Sequence, residues 1–109
     1  MSAFVDYLHE VFAEFGAIRM RRMFGGYGVY HADRMFALIA DDTLYLKVDA
    51  QTQADFDALD LPAFEFAQRG RVVQMSYRLA PDEIFDDPQL AAEWARRAYG
   101  AAVRASGTG

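Results

Sequence analysis

Residues 21–49, RRMFGGYGVYHADRMFALIADDTLYLKVD, contain the feature that most constrains the fold: strand-length segments separated by very short turns. The segments cover 26–32, 34–40 and 43–49, with turns at His-Ala-Asp and at Asp41-Asp42. Connections this short join antiparallel neighbours, because parallel strands need a long crossover. These residues therefore predict a meander of three adjacent strands.

The residues just before this meander predict an edge strand. Apolar and charged side chains alternate over 18–21, as they do where a strand turns its apolar side inward and its charges outward. Arg22 would point inward in that alternation, so we expect a bulge or the end of the strand there. The segment 35–40 is apolar on both faces, which predicts a central strand covered on each side.

Helices are predicted at both ends of the chain. Apolar residues recur at three- and four-residue spacing over 4–15, which predicts an amphipathic helix that Ser2 caps and Gly16 ends. Asp87 as N-cap and Pro88 at the first helical position begin the last helix. Its predicted buried stripe comprises Leu90, Trp94, Ala98, Ala101, Ala102 and Ala105.

The segment between these regions supplies a short helix and two more strands. Asp49 is predicted to cap a helix that extends to Leu59 and buries Phe56 and Leu59. Two strands, 63–68 and 71–80, flank a turn at Arg69-Gly70. A single helical turn in APDEIFDDP then leads into the last helix.

The predicted order, α-β4-α-β2-α, is an α+β fold with helices against a mainly antiparallel sheet. A length of 109 residues favours one domain, which we assign to 1–105, with 106–109 as a flexible tail. The chain lacks a bilayer-length apolar run and a secretory leader, so we expect a cytoplasmic protein without membrane association. It has no cysteine, which excludes thiol nucleophiles and cysteine-based metal sites.

The glycine cluster at Gly25, Gly26 and Gly28 does not have the pattern of a phosphate-binding loop. A dinucleotide fingerprint needs a third glycine where His31 stands, and no Gly-Lys-Ser/Thr follows. A strand follows the cluster, whereas a phosphate site needs a helix N-terminus. We interpret Gly25 and Gly26 as a turn or bulge, and Gly28 as a point where another segment or ring approaches closely.

Residues suited to catalysis or metal binding are few. His31 is interpreted as a solvated turn residue, and His9 with Asp6 offers only two of the three or four ligands that a metal needs. The adjacent aspartates at 41–42 and 86–87 stand where turns and caps favour Asp. We expect no catalytic residue, cofactor or metal site, and therefore a non-enzymatic protein.

The candidate interaction surface is an arginine-rich margin beside the glycine cluster. Its residues are Arg19, Arg21, Arg22, Phe24, Gly25, Gly26, Tyr27, Gly28 and Arg34. A protein partner is favoured, because a net charge of −5 argues against indiscriminate nucleic-acid binding. The alternative is a nucleic-acid-binding module in which the arginines act with Phe24, Tyr27, Tyr30 and Tyr45. A small-molecule site near Gly28 and Tyr45 is a third hypothesis.

The segments RRMFGGYGVYHADRMFALIADDTLYLKVD, PAFEF and VVQMSYRLAPDEIFDDPQLAAEWARRA, in this order, resemble the N-terminal domain of the TfoX/Sxy family, bacterial regulators of competence genes. The resemblance covers about residues 3–105. It implies an α+β fold similar to small secretion-chaperone-like domains, without known enzymatic activity or agreed catalytic residues.

The same resemblance bears on partners. Full-length members carry a C-terminal helical domain and are thought to act with the cyclic-AMP receptor protein at competence promoters. The chain stops before any such domain, so we expect a stand-alone form. The resemblance implies protein binding more than DNA binding, with a transcription factor as a candidate partner. We therefore expect a regulator of transcription or competence that acts through protein–protein contacts and is able to form a homodimer.

Overall fold

The structure, a computed structural model, describes residues 3–23 and 25–106. Its strands are β1 (Arg19–Met23), β2 (Gly26–His31), β3 (Arg34–Ala40), β4 (Thr43–Lys47), β5 (Ala63–Gln68) and β6 (Arg71–Leu79). They form one sheet in the order β1-β2-β3-β4-β6-β5, and every neighbouring pair is antiparallel. The predicted α+β fold is confirmed, with β1 and β5 as the edges and β3 in the interior.

The meander follows from the turns that the sequence indicated. The three hairpin connections Ala32-Asp33, Asp41-Asp42 and Arg69-Gly70 each place two successive residues at positive φ, between 48° and 76°. Two-residue turns of this kind match the right-handed twist of the flanking strands, so they hold antiparallel neighbours in register. Short Asp- and Gly-containing turns thus fix β2–β3, β3–β4 and β5–β6 as hairpins.

Of the two predictions for Arg22, the bulge is wrong, and the strand ends one residue later, at Met23. The β1–β2 pairing runs without interruption from Arg19 opposite Tyr30 to Met23 opposite Gly26. Arg22 is exposed, because at the sheet edge the side facing the helices is not fully covered and the guanidinium group reaches solvent.

Irregularities lie instead between β2 and β3 and, in the β5–β6 pairing, between Ala63 and Glu65. Val29 pairs with Ala37 and Tyr30 with Met35, which leaves Phe36 as the extra residue of a bulge. The Phe36 ring is fully buried and lies 5.6 Å from the Phe12 ring. The bulge therefore directs a large side chain into the core beneath the helices.

The helices are α1 (Ala3–Val11), α2 (Gln53–Asp57) and α3 (Pro88–Ser106), and a 3-10 helix covers Asp82–Asp86. α1 is shorter than predicted, because turns replace the helix before Gly16, whose φ is 146°. The expected cap at Ser2 lies outside the described residues. α3 has the predicted cap: Asp87 Oδ1 accepts the N–H groups of Gln89 and Leu90, each at 3.1 Å.

Two predicted burial assignments are wrong. Leu59 is 49% exposed, because α2 ends at Asp57 and the chain turns before Leu61 becomes buried. Ala105 is also exposed, since it lies in the last turn of α3, whereas Ala91 and Ala95 join the buried stripe. α3 extends through Ser106, one residue beyond the predicted domain end, and the remaining tail is not among the described residues.

The main hydrophobic core lies between the sheet and the helices. α3 packs on β3 and β4, and the core contains the fully buried side chains of Val5, Leu8, Phe12, Val29, Phe36, Leu44, Leu46, Phe56 and Ile84. Trp94 is 7% exposed and meets the Phe56 ring edge-on at 5.1 Å. We call the other side of the sheet the open face.

Candidate functional site

The predicted arginine set is divided between the two faces of the sheet. Arg19 and Arg21 lie over the Tyr30 ring, with guanidinium carbons 5.4 and 5.6 Å from its centroid, on the open face. Arg22 lies over the Tyr27 ring at 5.9 Å, and Tyr27 packs against the helix-side core. Edge strand β1 therefore presents cations on both sides.

The arginines differ in their partners. Arg19 donates to Asp33 Oδ1 at 3.1 Å, but the two side chains are 55% and 96% exposed, so the ion pair is worth only about 0.2–1 kcal/mol. Arg21 is exposed and makes no ion pair within residues 3–23 and 25–106. Arg34 is partly buried at the start of β3, opposite His31. Phe24 lies outside the described residues.

The glycine cluster is architectural. Gly25 forms the turn with φ 76° and has open space around it. A Cβ on Gly26 would overlap the Ile39 carbonyl oxygen, so β2 approaches the β3 backbone too closely for a side chain. A Cβ on Gly28 would lie 2.8–3.0 Å from Met23 Sδ, Met35 Sδ and Tyr30 Cε1. The backbone conformation and close contacts explain why these positions are glycine, so no phosphate-binding role is needed to account for them.

Sequence reasoning missed two residues of the open face, Lys47 and Tyr77. They are opposite each other in the β4–β6 pairing, with Lys47 Nζ 5.1 Å from the Tyr77 ring centroid and 2.6 Å from Ser76 Oγ. Burial, with a smaller effect of the nearby Tyr30, raises the pKa of Tyr77 to about 12. The alternation in β4 placed Lys47 on this face, but the long-range β4–β6 pairing is not readable from periodicity.

An apolar cavity of about 80 Å³ lies on the open face beside Gly28. Met23, Met35, Leu38, Phe64, Phe66 and Met75 line it together with Gly26, Tyr27, Ile39 and Ala40. The Tyr45 ring, predicted near a ligand site, packs 4.8 Å from the Phe64 ring. Typical small-molecule pockets measure roughly 300–1,000 Å³, so this cavity accommodates a side chain rather than a metabolite.

The interpretation of His31 as a solvated turn residue is wrong. Its ring is partly buried, 4.6 Å from the Phe15 ring and 5.1 Å from the Tyr99 ring. Nδ1 lies 2.8 Å from the Ala17 carbonyl oxygen and donates its proton there. Turn residues Ala32-Asp33 follow His31, so the ring stays in β2 and packs under Gly16. These contacts give the ring a structural role.

The described part of the chain offers little for metal chemistry. Within it, no three or more His, Asp or Glu side chains are grouped to hold a metal ion. Over the same residues, no helix is long and apolar enough to cross a membrane.

The profile described as "TfoX N-terminal domain" matches residues 10–102, which include the whole sheet. The chain belongs to the TfoX N-terminal domain family. It is also similar to the DNA transformation protein TfoX1 of Aliivibrio fischeri (strain ATCC 700601 / ES114), with 30% identity over 77 residues. That match covers 67% of this chain and 37% of the relative. The TfoX N-terminal match spans the arginine margin, the cavity and Lys47 with Tyr77.

Proposed function

We propose that this domain regulates genes for DNA uptake by binding a protein partner, a transcription factor, through the β1 margin. The β1 margin comprises Arg19, Arg21, Arg22 and the turn residues 25–27. The observation that carries the proposal is an edge strand whose exposed side chains are arginines in a chain of net charge −5. We also propose a cytoplasmic location, where such a partner would act.

The physical basis is the unpaired side of β1. An edge strand presents backbone N–H and C=O groups that another chain can extend, and charged side chains protect it from unselective pairing. Arg21 and Arg22 point to opposite faces, so a partner strand beside β1 meets a cation on each side. Carboxylates on the partner would pair with these groups and set its register.

The regulatory part of the proposal rests on family membership and on the relative named for DNA transformation. We propose a non-catalytic role, because among the described residues that line the cavity only Tyr27 has a polar side chain, and its ring packs against the helix-side core. Homodimers are also proposed, but not through β1, since two antiparallel β1 strands would bring arginines face to face.

The test is deletion of the gene in the organism that encodes it, followed by complementation. Wild-type protein is expected to restore transcripts of DNA-uptake genes and transformation frequency. Arg21→Glu/Arg22→Glu is expected to restore neither, because the reversed charges repel an acidic partner. The matched control is Arg69→Glu/Arg71→Glu, which makes the same charge change at the exposed β5–β6 hairpin.

Two outcomes refute the proposal. If deletion leaves both transcripts and transformation unchanged, the regulatory role is wrong. If both double variants complement equally well at equal protein levels, the β1 margin does not bind the partner.

Direct nucleic-acid binding is the second candidate, favoured by guanidinium groups stacked beside Tyr27 and Tyr30 at an exposed edge. It has less support, because the Arg–Tyr pairs are divided between two faces and Arg19 already pairs with Asp33. Titration with single- and double-stranded oligonucleotides at rising salt tests it, since phosphate contacts must weaken steeply as salt increases. Absence of binding at low salt removes it.

A further inference from the structure

The open face carries an apolar cluster distinct from the helix-side core. Its six side chains come from both edge strands and from the interior of the sheet: Met23, Met35, Leu38, Phe64, Phe66 and Met75. Because β1 and β5 are opposite edges and yet line one cavity, the sheet curls until its edges approach each other. The open face is therefore a concave surface.

The cavity in this surface suits one apolar side chain. Its volume of about 80 Å³ compares with roughly 30 Å³ for one water molecule in the liquid. Thioethers and aromatic rings give water few hydrogen bonds, so such a space stays dry and gains contacts when an apolar group fills it. Three methionines in the lining, with flexible and polarisable side chains, can adjust to a linear or branched anchor.

Cations border the cavity at the end near Tyr30. Arg21 pairs with Gly28, where the Met23 and Met35 sulfur atoms converge, and Met23 shares the open face with Arg21. Lys47 lies over Tyr77, and both line a surface groove together with Met35, which also lines the cavity. Asp33, a carboxylate that lines the same groove, pairs with Arg19. An acidic chain thus exposes a cationic rim next to an apolar cavity.

We propose that the open face docks a short acidic segment of the protein partner, which inserts one aliphatic or thioether side chain into the cavity and places carboxylates against Arg21 and Lys47. This inference rests on the proposed function for the existence of a partner. It extends the contact from the β1 margin onto the concave face. The cations at Arg21 and Lys47 indicate that the segment is negatively charged, and the cavity volume indicates the size of the side chain that it inserts.

The test uses four capped synthetic peptides, Glu-Glu-X-Glu-Glu, in which X is Leu, Met, Phe or Ser. Each is titrated into the full chain labelled with ¹³C in the methionine methyl groups. The Leu and Met peptides are expected to shift the signals of Met23, Met35 and Met75, which line the cavity. Met20 packs against the helix-side core and is the internal control. The Ser peptide is expected to bind at least about tenfold more weakly, about 1.4 kcal/mol.

Variants separate the anchor from the charges. Ala40 alternates with Leu38 in β3 and lines the cavity. Ala40→Leu therefore fills the cavity and is expected to weaken binding of the Leu peptide at least about tenfold. Met75→Ala widens the cavity and is expected to shift preference toward the Phe peptide. Arg21→Glu is expected to weaken the binding of every peptide, whereas Arg96→Glu, on the exposed side of α3, is expected to leave peptide binding unchanged.

Three results overturn the inference: no saturable binding by the Leu, Met and Phe peptides, shifts at Met20 as large as those of the lining methionines, or equal binding of the Ser and Leu peptides. A short oligothymidylate that shifts the lining methionines more strongly than the peptides would also overturn it and assign the face to nucleic acid. These measurements use purified protein, so failure here leaves the complementation result of the β1 margin intact.

Discussion

At the scale of single residues, Gly26 and Gly25 are neighbours with different reasons to be glycine. A Cβ on Gly26 would overlap the Ile39 carbonyl oxygen, and β3 cannot retreat because Ile39 also pairs with Leu44 of β4. Gly25 has φ 76° with open space around it, so a side chain there meets only backbone strain. The sequence predicted the turn at Gly25 and the close approach at Gly28, but it assigned Gly26 to the turn, whereas Gly26 lies in β2 against the β3 backbone.

We therefore predict that Gly26→Ala lowers the free energy of unfolding by about 3 kcal/mol, because a backbone clash must be relieved by moving a strand. Gly25→Ala is expected to cost only about 1–2 kcal/mol from its left-handed conformation. Urea denaturation of both variants measures the difference. Equal costs would show that the β2–β3 approach is looser than described.

Asp49 provides a second prediction, on pH. The Arg104 guanidinium group, which donates to its carboxylate, together with the N–H groups of Gln51 and Thr52, lowers the pKa of Asp49 from its ordinary value of 3.8. A lowered folded pKa stabilises the fold above the unfolded value, and this contribution is lost as pH falls through the folded pKa.

We expect Asp49→Asn to have a lower free energy of unfolding than wild type at about pH 6. The difference between the two proteins is expected to narrow below about pH 4. Chemical denaturation of both proteins across this range checks it. If the difference in free energy of unfolding stays constant down to about pH 3, the ion pair to Arg104 has no pH-dependent role in stability.

At the scale of elements, Trp94 anchors α3 to the rest of the fold. It is 7% exposed, packs edge-on against Phe56 of α2, and carries the Arg97 guanidinium group 4.4 Å from its ring centroid. Trp94→Ala is predicted to cost about 3–5 kcal/mol, against a total stability of about 5–15 kcal/mol. Thermal denaturation is expected to show Tm lowered by about 12 °C or more. A fall of only a degree or two would mean that the indole is not a core anchor.

The elements also show what the sequence could predict. The hairpins were predictable because Ala32-Asp33, Asp41-Asp42 and Arg69-Gly70 are local signals. The α3 start was predictable because Asp87 acts within one helical turn. The Phe36 bulge was not, since the buried Phe36 ring packs against Phe12 and Phe15, which follow α1 and are distant in the chain.

The candidate site, too, was predictable where the signal was local in the sequence and not where it depended on distant segments. The sequence placed arginines on an edge strand, and β1 is an edge. The sequence could not predict the cavity, because the cavity forms only when β5 and β6 curl toward β1. His31 was misassigned for a similar reason: its neighbours Phe15 and Tyr99 come from opposite ends of the chain.

At the scale of the whole molecule, this member of the TfoX N-terminal domain family combines an acidic total charge with a cationic margin along one sheet edge. The helices cover one face of the sheet, and the main core fills that side. A partner is therefore expected to contact β1 and the concave face rather than the helix surface.

Site-specific photo-crosslinking in the native cell tests this most directly, with the photoreactive residue placed at position 21 in one protein and at position 96 in another. Both positions are exposed, one on β1 and one on α3. Position 21 is expected to give a discrete crosslinked partner and position 96 none. The same partner crosslinked from position 96, with none from position 21, would contradict binding through the β1 margin.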